Sequence, residues 1–198
     1  MAQTLAQAAP VVLVLGDSLS AAYGLRPEQG WVALLEQRLA SRASPLRVVN
    51  RSLSGDTTAG GLYRLTQALA EAHPGWVIVE LGANDGLRGL SPDLMVTNLT
   101  ALIRLAQTAG AEVLLTGMEI PPNYGRPYSD RFRAVFPQVA QATGATLVPF
   151  LLAGVALNPA LFLEDGLHPN AEAQPRILEN IWIHLEPRLP PNPFKPAG

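Results

Sequence analysis

The chain has 198 residues, of which 48% are apolar and 15% are charged, and its formal net charge is −2. A chain of this size and composition is expected to fold as a globular domain with a substantial core, which excludes intrinsic disorder. Lys and Arg form no cluster and no apolar run is as long as a bilayer span, so we expect no nucleic-acid partner and no stable membrane insertion. Because the sequence has no cysteine, it excludes disulfides, thiolate metal sites and a cysteine nucleophile.

Apolar runs that favour strands alternate with helical patterns along the chain. The predicted strands cover residues 11–15, 46–50, 76–81, 112–118 and 146–149. Helices are predicted between them, including one over residues 92–108, and a last helix follows the fifth strand. In the helix over 92–108, the residues expected to face the core are Leu94, Leu99, Leu102, Ile103 and Leu105. The alternation predicts an α/β fold with a parallel sheet and helices on both of its faces.

The predicted domain covers residues 11–188, with a short N-terminal segment over 1–10 and a Pro-rich, solvated tail over 189–198. In the N-terminal segment, Ala6-Gln7-Ala8 resembles the small-residue end of a signal-peptide cleavage site. We therefore expect a mature exported form behind a new start Met, located in the periplasm or secreted. A cytoplasmic location is the alternative.

Candidate site residues follow each of the first three predicted strands. Ser18 lies in Gly16-Asp17-Ser18 after the first strand, Gly55 follows the second, and Asn84 follows the third. Because the carboxyl ends of parallel strands meet at one edge of a sheet, we expect these residues to lie close together. A fourth segment, Asp165 to His168, lies in a predicted loop near the end of the chain. Each of these segments taken alone is typical of an ordinary turn.

Together the four segments contain the groups that serine-dependent ester hydrolysis requires. Ser18 is the candidate nucleophile, and His168 is the candidate base, with Nε2 toward Ser18. Asp165 would accept a hydrogen bond from Nδ1 of His168. The candidate donors to a tetrahedral oxyanion are the backbone N–H groups of Ser18 and Gly55 and the side-chain amide of Asn84.

The remaining polar residues are interpreted as structural. His73 and His184 lack a partner of this kind, and Asp17 and Asp56 are expected to brace their loops. Three scattered histidines without cysteine do not predict a metal site. No phosphate-binding glycine motif occurs, and no G-x-S-x-G motif of the usual α/β-hydrolases occurs either.

The Pro- and Gly-rich segment over residues 120–128 is predicted to be irregular and to form one wall of a substrate cleft. We expect Ile120, Pro121 and Tyr124 to offer apolar surface to the substrate there. Ala83 and Asp85, on either side of Asn84, are also expected to contact the substrate.

The four segments occur in the order of the four blocks of the SGNH, or GDSL, hydrolases, which this chain resembles along nearly its whole length. Segments such as SGDT, VELGANDGLRG and DGLHPNAEAQP resemble most closely the bacterial thioesterase and lysophospholipase branch of that family. The resemblance implies a three-layer α/β/α sandwich with a parallel, five-stranded flavodoxin-like sheet. It also implies hydrolysis of acyl esters and thioesters through an acyl-serine, a periplasmic address, no cofactor, and a mobile loop over residues 82–92.

Two other functions remain open on the sequence. A carbohydrate O-acetylesterase would share the fold, but the apolar residues 120–124 favour acyl chains over sugars. A non-catalytic binding module would also share it, but it would not need the complete set of polar residues. We expect a monomer acting on a small-molecule acyl ester or thioester.

Overall fold

A computed structural model describes residues 10–42 and 46–191. The predicted N-terminal segment over 1–9 and residues 192–198 of the predicted tail lie outside the described residues. The strands are β1 (Val11–Gly16), β2 (Arg47–Asn50), β3 (Trp76–Glu80), β4 (Glu112–Thr116) and β5 (Thr146–Val148). The helices are α1 (Trp31–Ala40), α2 (Thr58–Ala72), α3 (Ala83–Leu87), α4 (Pro92–Thr108), α5 (Arg126–Thr143) and α6 (Gln174–Leu185).

The five strands form a parallel sheet in the order β2-β1-β3-β4-β5. β1 is buried on both faces because its six residues are apolar or Gly. The chain leaves β1 first toward β2 and then returns to place β3 on the other side of β1. This reversal opens a crevice beyond the carboxyl end of β1, which is where ligands bind in sheets of this type.

Helices cover both faces of the sheet. α1 packs on α6, while α2 packs on α4 and α4 packs on α5. The predicted three-layer α/β/α sandwich with a five-stranded parallel sheet is therefore confirmed. Among the described residues, no helix is both long enough and apolar enough to cross a membrane.

The core-facing side of α4 differs from the prediction. Leu94 and Leu105 are 49% and 42% exposed, whereas Met95 and Ala106 are fully buried. The prediction was wrong for the two leucines because the buried stripe is set by the helical period around Leu99, and Met95 lies one turn before that residue.

Two segments predicted as loops contain helical structure. Asn84 lies in α3, a helix of five residues. The segment over residues 120–128 contains a 3₁₀ turn at Pro122–Tyr124, and α5 already begins at Arg126. The prediction of irregular structure was therefore wrong for residues 122–124 and 126–128. A Pro in the first turn of a helix loses no internal hydrogen bond, so the prolines of this segment do not prevent helical structure.

The domain continues past the predicted boundary at residue 188. Leu189 is 7% exposed and belongs to the core. The Trp76 indole N–H donates to the Arg188 carbonyl over 3.1 Å, and Arg42 Nη2 donates to the Pro190 carbonyl over 2.5 Å. The prediction of a solvated tail was therefore wrong for residues 189 and 190.

Candidate active site

Ser18 is held in a tight turn directly after β1. Asp17 Oδ1 accepts a hydrogen bond from the Leu19 N–H over 3.0 Å, which fixes the turn around Ser18. A Cβ at Gly16 would lie 2.6 Å from Ser20 Oγ and 2.8 Å from Glu80 Oε2. The absence of a side chain at Gly16 therefore leaves room for the side chains of Ser20 and Glu80 next to the turn.

The structure brings Ser18, His168 and Asp165 into one hydrogen-bonded chain. His168 Nε2 lies 3.0 Å from Ser18 Oγ, and His168 Nδ1 lies 2.7 Å from Asp165 Oδ2. The other oxygen of Asp165 accepts from the backbone N–H groups of Leu167 and His168, each over 2.9 Å. Hydrogen bonds from the His168 backbone, the His168 side chain and the Leu167 backbone lower the pKa of Asp165 to about 2.

These contacts set the tautomer of the imidazole. An ionised carboxylate only accepts hydrogen bonds, so the proton of a neutral His168 ring lies on Nδ1. Nε2 then presents its lone pair to the Ser18 hydroxyl. The ring is also packed against Tyr23, with 4.3 Å between the ring centroids. His168 is thus oriented as a proton acceptor for Ser18.

Gly55 and Asn84 lie in the same cleft as Ser18. Gly55 precedes α2 and has a φ of +80°, a conformation that favours glycine. Its carbonyl accepts a hydrogen bond from Arg88 Nη2 over 2.7 Å. Asn84 Nδ2 donates to Asp17 Oδ2 over 2.9 Å, and since an amide nitrogen carries two hydrogens, the second remains for a ligand.

Asp85 has a structural position, so the expectation that it contacts substrate is wrong. Its side chain is buried and accepts hydrogen bonds from the Thr58 N–H over 2.9 Å and from Thr58 Oγ1 over 2.6 Å. Thr58 Oγ1 in turn accepts from Asn98 Nδ2 over 3.0 Å. Asp85 therefore fastens α3 to the N-terminus of α2, where a negative charge is favourable.

The cleft beside Ser18 has a volume of about 540 Å³ and is lined mainly by apolar side chains. Three of the residues expected to contact substrate, Ala83, Ile120 and Pro121, line it. Tyr124 does not, because its hydroxyl instead donates to the Leu87 carbonyl over 2.8 Å. A contact between Tyr124 and substrate therefore stays a prediction, while its neighbour Pro122 lines the cleft.

Sequence reasoning missed a second apolar group in the cleft. Its members are Tyr23, Leu87, Met118, Phe150, Leu152, Ala156, Leu157, Phe162 and Leu167. Several of them follow the carboxyl end of β5, so the rule that located Ser18 could have found them. Leu157, at 99% exposure, lies open to solvent beside the cleft.

The residues interpreted as structural lie at or within helices or stabilise their loops. His73 ends α2 in a left-handed conformation, and His184 lies in α6. Asp56 pairs with Arg64, and Asp17 braces the turn around Ser18. Within the described ranges, no three His, Cys, Asp or Glu residues form a group that could hold a metal ion.

A model of the GDSL-like Lipase/Acylhydrolase family matches residues 14–175, which include all four polar segments. The chain belongs to this family. This GDSL-like hydrolase is 51% identical over 182 residues to "Esterase TesA" of Pseudomonas aeruginosa, covering 92% of this chain and 90% of that protein. It is 43% identical to "Thioesterase 1/protease 1/lysophospholipase L1" of Escherichia coli, covering 92% and 86%. A crystal structure of TesA superposes with a TM-score of 0.88, covering 90% of this chain and 99% of that chain.

Proposed function

We propose that the protein is a serine hydrolase that cleaves carboxylic esters and acyl thioesters through an acyl-serine intermediate. The observation that carries the proposal is the chain from Ser18 Oγ through the His168 ring to Asp165, with distances of 3.0 and 2.7 Å. The names of the relatives, which include esterase, thioesterase and lysophospholipase, support acyl esters and thioesters as the substrate class.

The reaction proceeds in two steps that use the same groups. In the first, Ser18 Oγ bonds to the acyl carbon while its proton passes to His168 Nε2, and the leaving alcohol or thiol departs with that proton. In the second, water attacks the acyl-serine, His168 takes the water's proton, and the free acid leaves as Ser18 regains its hydrogen. The ionised Asp165 stabilises the imidazolium in both steps.

The negative charge that develops on the acyl oxygen needs hydrogen-bond donors. We assign this role to the backbone N–H groups of Ser18 and Gly55 and to the second hydrogen of Asn84 Nδ2, because all three residues line the cleft. Gly55 lies three residues before α2, where backbone N–H groups favour negative charge.

The lining of the cleft favours acyl chains over sugars as the bound group. Apolar side chains from two sides, the residues around Ile120 and those around Phe150, form most of the surface next to Ser18. An apolar chain gains about 0.8 kcal/mol for each methylene that it buries, whereas a sugar would need polar partners. We therefore propose medium to long acyl esters and thioesters as the substrates.

Removal of the nucleophile tests the proposal. Ser18→Ala should abolish hydrolysis of p-nitrophenyl butyrate, while Ser41→Ala should hydrolyse it at the wild-type rate. Ser41 is the matched control because its exposed hydroxyl bonds to Arg38 at the end of α1. Full activity in Ser18→Ala would overturn the assignment of the nucleophile.

A substrate series tests the chemical class. We expect kcat/KM to rise with acyl length from p-nitrophenyl acetate to longer esters, and acyl-coenzyme A thioesters to be cleaved as well. Activity confined to acetylated xylan would indicate a carbohydrate O-acetylesterase instead. No turnover of any ester or thioester would indicate a binding module.

A further inference from the structure

Two carboxyl groups that the proposed reaction does not use lie beside Ser18. Asp17 and Glu80 are both fully buried, and β1 and β3 pair so that Gly16 lies opposite Glu80. The Asp17 N–H donates to Glu80 Oε2 over 3.3 Å, and the negative charge of Asp17 raises the pKa of Glu80. Two adjacent carboxylates removed from water repel each other and lose hydration, so the pair is stable only when it binds a proton.

The surrounding hydrogen bonds distinguish the two members of the pair. Both oxygens of Asp17 have a donor, since Oδ1 accepts from Leu19 and Oδ2 accepts from Asn84. Glu80 Oε2 accepts from Ser20 Oγ over 2.7 Å, but within the described part of the chain no donor reaches Glu80 Oε1. An ionised Glu80 would leave that buried oxygen unsatisfied, whereas a protonated Glu80 has a hydrogen to donate.

We propose that Asp17 and Glu80 together bind a single proton and act as positioning residues for one oxyanion donor. The ionised Asp17 fixes the orientation of the Asn84 amide. The inference rests on the proposed function, because it assigns these residues a role in stabilising the same oxyanion. Glu80 holds the proton and thereby limits the pair to a single negative charge.

The orientation of the Asn84 amide follows from the fact that a carboxylate only accepts hydrogen bonds. The Asn84 side chain has an NH₂ end that donates and an oxygen end that accepts. An ionised Asp17 has no hydrogen to give, so the NH₂ end must face it, and the second N–H hydrogen then remains for the oxyanion. If Asp17 were neutral, the amide could turn over and present its oxygen to Asp17, which would remove the donor from the site.

The pKa values of the pair agree with this assignment. Burial raises the pKa of Asp17 to about 6, although hydrogen bonds from Leu19, Glu80 and Asn84 and the charge of His168 lower it. Burial and then the negative charge of Asp17 raise the pKa of Glu80 well above its usual range. The titratable groups that act on the pair are thus its own two members, at the ends of β1 and β3, and His168. Between the two pKa values the pair holds one proton.

A double-mutant cycle between Asp17 and Asn84 tests the coupling. Asp17→Asn should lower kcat for p-nitrophenyl butyrate by about tenfold or more with little change in KM, because the amide is free to turn. In an Asn84→Ala background there is no amide to orient, so the same substitution should change kcat by less than about threefold. A merely structural Asp17 would give equal losses in both backgrounds, and that result would overturn the proposal.

The conservative substitution Glu80→Gln tests the role of the proton. Gln keeps the shape of Glu80 and is always neutral, so its kcat should be at least about ten times that of Asp17→Asn at neutral pH. An equally low kcat in the two variants would overturn the assignment of the proton to Glu80.

A measurement on the wild-type protein needs no substitution and so does not depend on whether the variants fold. NMR of ¹³C-labelled carboxyl groups at about pH 7.5 should show Asp17 ionised and Glu80 protonated, and two ionised groups would contradict the proposal. Ser18→Ala, assayed alongside, separates the two hypotheses. If the proposed function is wrong, activity survives in Ser18→Ala. If the proposal for Asp17 and Glu80 is wrong, the carboxyl titration shows it.

Discussion

Among single residues, Asn84 is the proposed oxyanion donor that a substitution removes most directly, since the other two proposed donors are backbone N–H groups. Asn84→Ala should lower kcat by roughly a hundredfold to a thousandfold, which is the usual cost of one lost donor. The KM for p-nitrophenyl butyrate should change little, because the hydrogen bond strengthens in the transition state. The midpoint of thermal unfolding serves as the control, and a kcat within threefold of wild type would contradict the role of Asn84.

The protonation of His168 predicts an acid limb in the pH profile. We expect kcat/KM to fall as the pH drops, because only the neutral imidazole accepts the Ser18 proton. Asp165 does not cause this fall, since hydrogen bonds hold its pKa at about 2. Asp17, whose pKa burial raises to about 6, gains a proton as the pH falls through that value, which adds a second cause for the loss of activity. His184→Gln should show the same limb, and a flat profile from about pH 5 to 9 would count against His168 as the base.

At the scale of elements, the buried face of α4 makes a matched pair of substitutions possible. Met95 is fully buried and its neighbour Leu94 is 49% exposed. Met95→Ala should lower the free energy of unfolding by about 2–5 kcal/mol, because it leaves a cavity in the core. Leu94→Ala should cost less than about 1 kcal/mol. Urea unfolding measures both, and equal losses would mean that the helix is rotated from the described position.

The segment over residues 82–92, for which the family resemblance implies mobility, is bonded to several other elements. The hydroxyls of Tyr124 and Tyr128 donate to the carbonyls of Leu87 and Leu90, each over 2.8 Å. Asp85 anchors its first half to α2. The mobility of this segment stays a prediction, and these bonds define what an opening motion must break.

Removal of one of these bonds should loosen α3. Tyr124→Phe should lower the free energy of local opening by about 1 kcal/mol, which is the usual net value of one hydrogen bond. Hydrogen exchange of the α3 amides should therefore become faster, while the 90% exposed Tyr63 provides the control Tyr63→Phe. Unchanged exchange in Tyr124→Phe would show that the hydroxyl does not limit the opening.

For the whole molecule, the end of the domain contributes to stability. Leu189 belongs to the core that α6 and the sheet share, so Leu189→Ala should lower the free energy of unfolding by about 2–5 kcal/mol. Ile183→Ala, at a 62% exposed position of α6, is the control and should cost less than about 1 kcal/mol. Equal unfolding midpoints in urea for the two variants would contradict the placement of Leu189 in the core.

The sequence predicted what depends on chain topology and missed what depends on side-chain direction. Alternating strands and helices bring the carboxyl ends of β1, β2 and β3 to one edge, and this was sufficient to group Ser18, Gly55 and Asn84. The burial of the Asp85 side chain could not be predicted from the sequence, because α3 is too short to show a helical period. Leu189 was missed because its Pro-rich surroundings are typical of a solvated tail.

The hydroxyl of Ser18 and the imidazole of His168 come from positions 150 residues apart in the chain. During synthesis the serine therefore leaves the ribosome long before the histidine exists, and no base is available until the final loop has docked against β1. A product that ends before residue 168 would carry Ser18 without its base. Unfinished copies therefore lack the arrangement that the proposed ester hydrolysis requires.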